Sequence, residues 1–317
     1  MKTIYYQLGE PTGLDGRYAA TIGVFDGVHR GHRFVIESLG QKARERGLQT
    51  MVVTFLRHPR QVVQPEWQPQ LLTTLEQKTA LLAATGIDVL VVLCFDEPMA
   101  RLSARDFMAR VLGQDLHVAM LLTGYDNRFG HDRSEGFAQY VEYGREMGLE
   151  VVQSVPYEAD GQRFSSSLVR RLLAEGDVAL AARCLGRNYQ LSGRVVHGHA
   201  IGRTLGFPTA NIVPCDSAQI VPRFGVYCVM IRPESSGSSV PGVMNIGMRP
   251  TFGGQHATLE AYLLDFEGNL YDQVLTVEFL ARLRSEQQFA SPDELVAQMK
   301  RDAGEARKII QEYEESY

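Results

Sequence analysis

Five short apolar runs, separated by stretches of helical spacing, constrain the first half of this chain more than any other feature. They read AATIGVF (19–25), QTMVVTF (49–55), IDVLVVLCF (87–95), HVAMLLTG (117–124) and LEVVQSV (149–155). Runs without polar alternation suit strands covered on both faces. Between them, HRFVIESLGQKARERG places Phe34, Val35, Ile36 and Leu39 on one apolar side. TTLEQKTALLAATG has Thr74 placed to cap a helix and Gly86 to stop it. Strand–helix alternation with right-handed crossovers predicts a doubly wound parallel sheet.

After Phe164 come two helical segments, SSSLVRRLLAEG and DVALAARCLG, and then the texture changes. From Tyr189 the chain offers short alternating runs such as YQLSGRVV, GVYCVMI, ATLEAYLLDF and QVLTVEFL, with frequent Gly and Pro between them. Such spacing predicts an antiparallel barrel or sandwich. PESSGSSVPG (233–242) reads as a solvated hairpin tip, and residues 292–317 as a charged amphipathic helix covering one side. The boundary falls near 184–188, giving domains 1–185 and 186–317. A chain of 317 residues, 44% hydrophobic and 22% charged, has the material for two cores. Its net charge of −5 argues against bulk nucleic-acid or anionic-membrane binding. The run 87–95 is too short to cross a bilayer, and the N-terminal MKTIYYQLGEPTG lacks the apolar core of a signal peptide. Four scattered cysteines without a CxxC pair suit a reducing compartment, so a cytoplasmic protein is expected.

The segment TIGVFDGVHRGH, Thr21 to His32, lies where a strand gives way to a helix. Ligands of doubly wound sheets bind at that end, where glycines let backbone N–H groups approach phosphate and the helix dipole favours an anion. Three readings of His29 and His32 are open: phosphate ligands, half of a zinc site, or half-buried turn residues. Zinc needs further ligands, and no HExxH or cysteine cluster supplies them nearby. Asp26 suits either a loop brace or a direct role. In the second half, GHAIGRT has one residue too few, and Arg in place of Lys, for a Walker A loop. What remains is a glycine-rich flap ending in PTAN. Thr209 and Asn211, two apart in an extended segment, face the same way, and their neutral oxygens suit Mg²⁺. A plain turn-and-strand reading of PTAN is the alternative.

GxFDGxHxGH resembles the signature of the HxGH nucleotidyltransferases, and FDGVHRGH their flavin adenylyltransferase branch. VTFLRHPR (53–60), LLTGYDNRFGHDR (121–133) and FSSSLVR (164–170) resemble further motifs of that branch, in order. The resemblance implies joining of ATP and FMN to give FAD and pyrophosphate. His29 and His32 would then hold phosphates and developing charge, with Ser165, Ser166 and Arg170 gripping phosphate at a helix start. Gly23, Phe25, Asp26, Gly27, Gly31, Gly124, Asp126 and Arg128 would complete the nucleotide and flavin site. His58 and Arg60 fit either substrate phosphate or a solvated loop. Val24 stands where the family has Asn or another small polar residue, which implies one hydrogen bond fewer near the nucleotide. Asn127 stands where it has Phe.

GRTLGFPTAN, GVYCVMI, PGVMNIGMRPTFGG, LEAYLLDFEGNLY and FLARLRSEQQF are similar, in order, to riboflavin kinases. That resemblance implies a Greek-key barrel, and riboflavin and ATP giving FMN and ADP. Glu260 would be the general base, and Thr209 and Asn211 the Mg²⁺ ligands. Gly198, Gly202, Arg203, Thr204, Gly206 and Pro208 would form the nucleotide flap. Arg284 and Glu286 match a motif near the flavin, although a surface ion pair explains them equally. Tyr262 stands where the family often has His. Together the two resemblances point to the bifunctional bacterial riboflavin kinase/FMN adenylyltransferase family. A flavin-binding regulator is the rival from another class, but a binder has no need of a base at Glu260.

Overall fold

A computed structural model describes residues 1–125, 128–131, 134–159, 161–198, 206–235, 237–251 and 254–315. By packing, the chain forms two compact units, Met1–Ser165 and Ser166–Tyr317.

In the first unit six strands run parallel: β1 (Lys2–Tyr6), β2 (Tyr18–Ile22), β3 (Gln49–Phe55), β4 (Val89–Leu93), β5 (Val118–Thr123) and β6 (Glu150–Gln153). Their order is β1-β4-β3-β2-β5-β6, so β2 lies at the point where the chain reverses its direction of travel across the sheet. The helices are α1 (Arg30–Glu45), α2 (Pro59–Val63), α3 (Leu75–Ala83), α4 (Glu97–Ala100), α5 (Ala104–Asp106) and α6 (Phe137–Met147); α5 continues as π-helical turns over Phe107–Asp115. Alternate residues of one strand enter opposite layers. Met51 and Val53 pack with Phe107, Met108 and Tyr140, whereas Val52 packs with Ile36 of α1 and Leu82 of α3. Cover on both faces is why these strands carry unbroken apolar runs. A small ladder, β7 (Glu158–Ala159) with β8 (Gln162–Arg163), ends this unit.

The second unit begins with two helices, α7 (Ser166–Glu175) and α8 (Val178–Leu185). Six antiparallel strands follow: β9 (Tyr189–Val196), β10 (Thr209–Pro214), β11 (Gly225–Pro233), β12 (Val240–Thr251), β13 (Gly254–Leu263) and β14 (Val274–Arg284). They close a barrel in the order β10-β13-β12-β11-β14-β9. β11, β12 and β13 form a meander and β14 returns beside β11, which is a Greek key. Of the two architectures open at the sequence level the chain therefore adopts the barrel. Leu191, Tyr227, Met244, Leu259, Val277 and Phe279 are fully buried, on the residues that alternate with the outward-facing ones. The last helix, α9 (Pro292–Glu315), lays Ala303, Ala306 and Ile310 against Cys228, Leu264 and Leu280 on the outside of the barrel. α7 and α8, on the N-terminal side of the boundary read from the sequence, pack with the barrel: α8 lies against β14 and β9.

Candidate active sites

The first site is built where β2 ends. Its last residue, Ile22, is buried; Gly23 closes the ladder by donating to Val53 O at 3.0 Å; the chain then turns sharply. Phe25, Gly27 and Val28 have φ of 51°, 79° and 39°. Left-handed backbone costs glycine nothing, but for Phe and above all a β-branched Val it stores about 1–3 kcal/mol per residue. Several interactions hold the turn in place. Asp26, 4% exposed, accepts from Leu72 N, Thr73 N and Thr73 Oγ1 at 3.0–3.2 Å, and Gly27 N donates to Thr73 Oγ1 at 3.1 Å. These bonds brace the turn through Asp26. Phe25 and Val28 anchor in the core, and the Phe25 ring meets His32 edge-on at 5.1 Å, backing that imidazole.

The turn delivers His29 as the N-cap of α1, where its Nδ1 accepts from His32 N at 3.3 Å. An Nδ1 that accepts leaves Nε2 to carry the proton of the neutral ring, so Nε2 is the nitrogen equipped to donate to an anion. The rings of His29 and His32 stack with centroids 3.6 Å apart, at the positive end of a sixteen-residue helix. Gly31 is required by close approach: a Cβ there would lie 3.1 Å from the His29 ring and 3.3 Å from Phe164 O. Among the described residues no group of three or more His, Cys, Asp and Glu gathers as a metal cluster would.

Val24 packs its side chain on the core. Its carbonyl is the group in use, accepting from Thr54 Oγ1 at 3.1 Å and from Lys78 Nζ at 3.3 Å. Lys78, only 7% exposed, also donates to Phe55 O at 3.0 Å. Burial pulls its ammonium down to about 8, against the opposing attraction of Asp26. The sequence reading passed over Lys78. His58 caps α2 through a reciprocal capping box with Gln61, and Trp67 meets His58 at 4.7 Å and the Arg60 guanidinium at 4.9 Å. Gly124 follows β5 and Arg128 is exposed beyond it; Asp126 and Asn127 lie outside the described residues. Ser165 immediately precedes α7, Ser166 is its first residue, and Arg170 stands half-buried one turn later.

The second site lies on the outer face of the barrel. Asn211 of β10, Glu260 of β13, Asn245 of β12, Val226 of β11 and Arg284 of β14 are successive register partners, so they form one row across five strands. A cleft of about 400 Å³ opens over this row, with Glu260, Thr209, Asn245, Arg284 and Glu286 on its polar side and Phe289, Leu295 and Met299 on its apolar side. Thr209 also lines a second cleft, of about 360 Å³, with Pro208, Leu263, Phe266 and Tyr271. The Asn211 amide faces Gly198, where a Cβ would sit 2.2 Å from Nδ2. Gly206 has φ of +81°, whereas Gly202, Arg203 and Thr204 lie outside the described residues. Arg284 makes a two-pronged pair with Asp302 of α9 at 2.8–3.1 Å, and Asp302, 3% exposed, also accepts from Gln298. The partner of Arg284 is thus a buried carboxylate on α9, in place of the surface pair considered from sequence. Glu286 instead lies over Gly247, its Oε1 2.4 Å from where a Cβ would be.

Residues 13–168 match the sequence profile of the FAD synthetases and residues 185–310 that of the riboflavin kinases. The chain is 41% identical over 290 residues to the bifunctional riboflavin kinase/FMN adenylyltransferase of Escherichia coli K12, covering 92% of each chain. It is 42% identical over 291 residues to the enzyme of the same name from Pseudomonas fluorescens, again covering 92% of each. A crystal structure from Streptococcus pneumoniae, described as a macrolide-efflux protein, superposes with a TM-score of 0.87 at 29% identity, over 97% of this chain and 99% of that one. No helix among the described residues is long and apolar enough to cross a membrane. With each half matched by its own profile and full-length relatives above 40% identity, the chain belongs to the bifunctional riboflavin kinase/FMN adenylyltransferase family.

Proposed function

We propose that the barrel transfers the γ-phosphoryl group of ATP to the 5′-hydroxyl of riboflavin, and that the parallel-sheet half then adenylylates the FMN with a second ATP. We assign the second activity to residues 1–185 and the first to residues 186–317. The profile matches, 13–168 and 185–310, support that division. By motif, Ser165, Ser166 and Arg170 go with the nucleotide site of the first half, although α7 belongs by packing to the second unit.

The observation that carries the kinase reading is the position of Glu260 in a cleft that shares Thr209 with a second cleft. The acceptor hydroxyl must lie beside the base, which assigns riboflavin to the cleft of about 400 Å³, and ATP then enters through the other. Glu260 takes the proton of the 5′-hydroxyl as its oxygen attacks the γ-phosphorus; the bond to the β,γ-bridging oxygen breaks and ADP leaves. A positioned base of this kind contributes roughly 10²–10⁴-fold. Thr209 and Asn211 fit Mg²⁺: both bring neutral oxygens, on the strand that pairs directly with Glu260. When bound there, Mg²⁺ supplies positive charge to the phosphates.

In the other half, an oxygen of the FMN phosphate attacks the α-phosphorus of ATP and the α–β bridge breaks, releasing pyrophosphate. No proton need be abstracted, so catalysis is positioning and charge stabilisation. The Nε2–H of His29, the stacked His32 and the N-terminus of α1 present donors to the phosphates.

Chromatography of riboflavin, ATP and Mg²⁺ incubated with the purified chain tests this reading. FMN should appear first and FAD after it, and a chelator should stop both. A chain that makes neither flavin under these conditions would refute it.

A further inference from the structure

Lys78 is the charge that the proposed chemistry leaves unused. A lysine is among the residues least often buried unless paired, and removing its charge from water costs several kcal/mol. It stands in the middle of α3, where either an alanine or a solvent-facing lysine would serve the helix equally well. Its ammonium instead reaches Val24 O at 3.3 Å and Phe55 O at 3.0 Å. These two carbonyls lie where the β2 and β3 ladder ends: their last register pair is Ile22 with Val53, and Gly23 N takes Val53 O. Past that point the strands diverge into the two turns that carry His29 and His32 on one side and His58 and Arg60 on the other. Lys78 bridges this point with one cation bonded to both segments, the turn after β2 through Val24 O and the last residue of β3 through Phe55 O. Asp26, in the same turn as Val24, is the carboxyl whose attraction bears on Lys78, and it is itself held by Leu72 and Thr73, just ahead of α3.

We infer that Lys78 is a positioning residue for adenylyl transfer, clamping the strained β2–α1 turn so that His29 is presented at the α-phosphate. The inference rests on the adenylylation reading above. Left-handed backbone at Phe25 and Val28 makes this turn prone to relax, and the hydrogen bonds on Val24 O oppose that relaxation. A protonated amine makes charge-assisted bonds roughly twice as strong as those of the neutral amine. The clamp therefore weakens as Lys78 loses its proton, near pH 8.

The test is Lys78→Met in the full-length chain, an apolar side chain of similar length suited to the buried site. FMN-to-FAD turnover should fall roughly 10- to 100-fold, the scale of a small misplacement of catalytic groups. Riboflavin-to-FMN turnover in the same preparation should stay at the wild-type rate. Wild-type FAD formation should also show a declining limb near pH 8 that the variant lacks, a signature that a purely structural role would not give. If Lys78→Met fails to fold, Thr54→Val removes the other donor on Val24 O and should lower FAD formation selectively, by roughly 5-fold for one ordinary hydrogen bond. FAD formation by a folded Lys78→Met within twofold of wild type, with an unchanged pH profile, would overturn the inference. So would an unaffected Thr54→Val where the first variant does not fold. A wild-type chain that makes no FAD from FMN is a different failure, because it removes the adenylylation reading itself.

Discussion

Two ionisable residues show how differently a single side chain can be specified. Glu260 drew attention because an acidic residue sits inside an apolar strand, LEAYLL, and the resemblance to riboflavin kinases supplied its proposed role as base. Its variant Glu260→Gln keeps the shape and removes the proposed base. Riboflavin phosphorylation should drop roughly 10²–10⁴-fold while adenylylation of supplied FMN is untouched, as assayed separately with each flavin. Lys78 was not legible, because TTLEQKTALL looks like any solvated helix. Its hydrogen-bond partners are distant in the chain: Val24, 54 residues away, and Phe55, 23 away. The form of Lys78 that the turn uses is also the form that the fold tolerates least. Below about pH 8 the amine is charged in both the folded and unfolded states, and folding bears the full cost of burying it. From about pH 8 towards the ordinary lysine value the folded chain has shed a proton that the unfolded chain still holds, so stability rises with pH. The gain approaches about 3 kcal/mol. Denaturant titrations of the wild type and Lys78→Met at pH 7 and pH 10 should show this rise in the wild type and its absence in the variant.

Elements follow from sequence where a pattern is local and fail where a partner is distant. Unbroken apolar runs disclosed the parallel strands, and glycines with histidines at a strand end disclosed the β2–α1 turn. The amphipathic pattern of α7 and α8 fixes that each has an apolar face, but not which core receives it. The boundary read near residues 184–188 consequently follows the change from helix to short strands, whereas packing groups both helices with the barrel. Likewise α9 was legible as a covering helix, yet nothing near Arg284 announces that its carboxylate partner is Asp302, eighteen residues on. That pair ties α9 to β14 at the edge of the cleft, which Leu295, Met299 and Asp302 themselves line. Asp302→Ala leaves a mostly buried guanidinium without its counter-charge, and breaking such a pair costs about 3 kcal/mol. Thermal melts should show a destabilised chain, and the KM for riboflavin should rise with a smaller change in kcat, because the wall of the pocket loosens while Glu260 stays in place. An unchanged KM would separate α9 docking from riboflavin binding.

At the scale of the whole molecule, two folds with separate cores carry two candidate sites of opposite design. On the proposed reading one rests on a base in a barrel cleft, and the other rests on donors at a helix start and abstracts no proton. On that reading the shared species is FMN, the product of one half and the substrate of the other. Nothing in either chemistry demands that both sites act within one chain, because the intermediate is a stable phosphate ester that survives release into water. Chains carrying His29→Ala should therefore make FMN and stop, and chains carrying Glu260→Gln should make FAD only from supplied FMN. Mixed in equal amounts with riboflavin, ATP and Mg²⁺, the two should together produce FAD after a lag in which free FMN accumulates. The lag should shorten as either chain is added in excess, and FMN should be visible by chromatography throughout it. Were the mixture to make FMN but no FAD, while each variant kept its own single activity, the intermediate would have to pass within one molecule or assembly. The two folds would then be coupled in function and not merely joined in sequence.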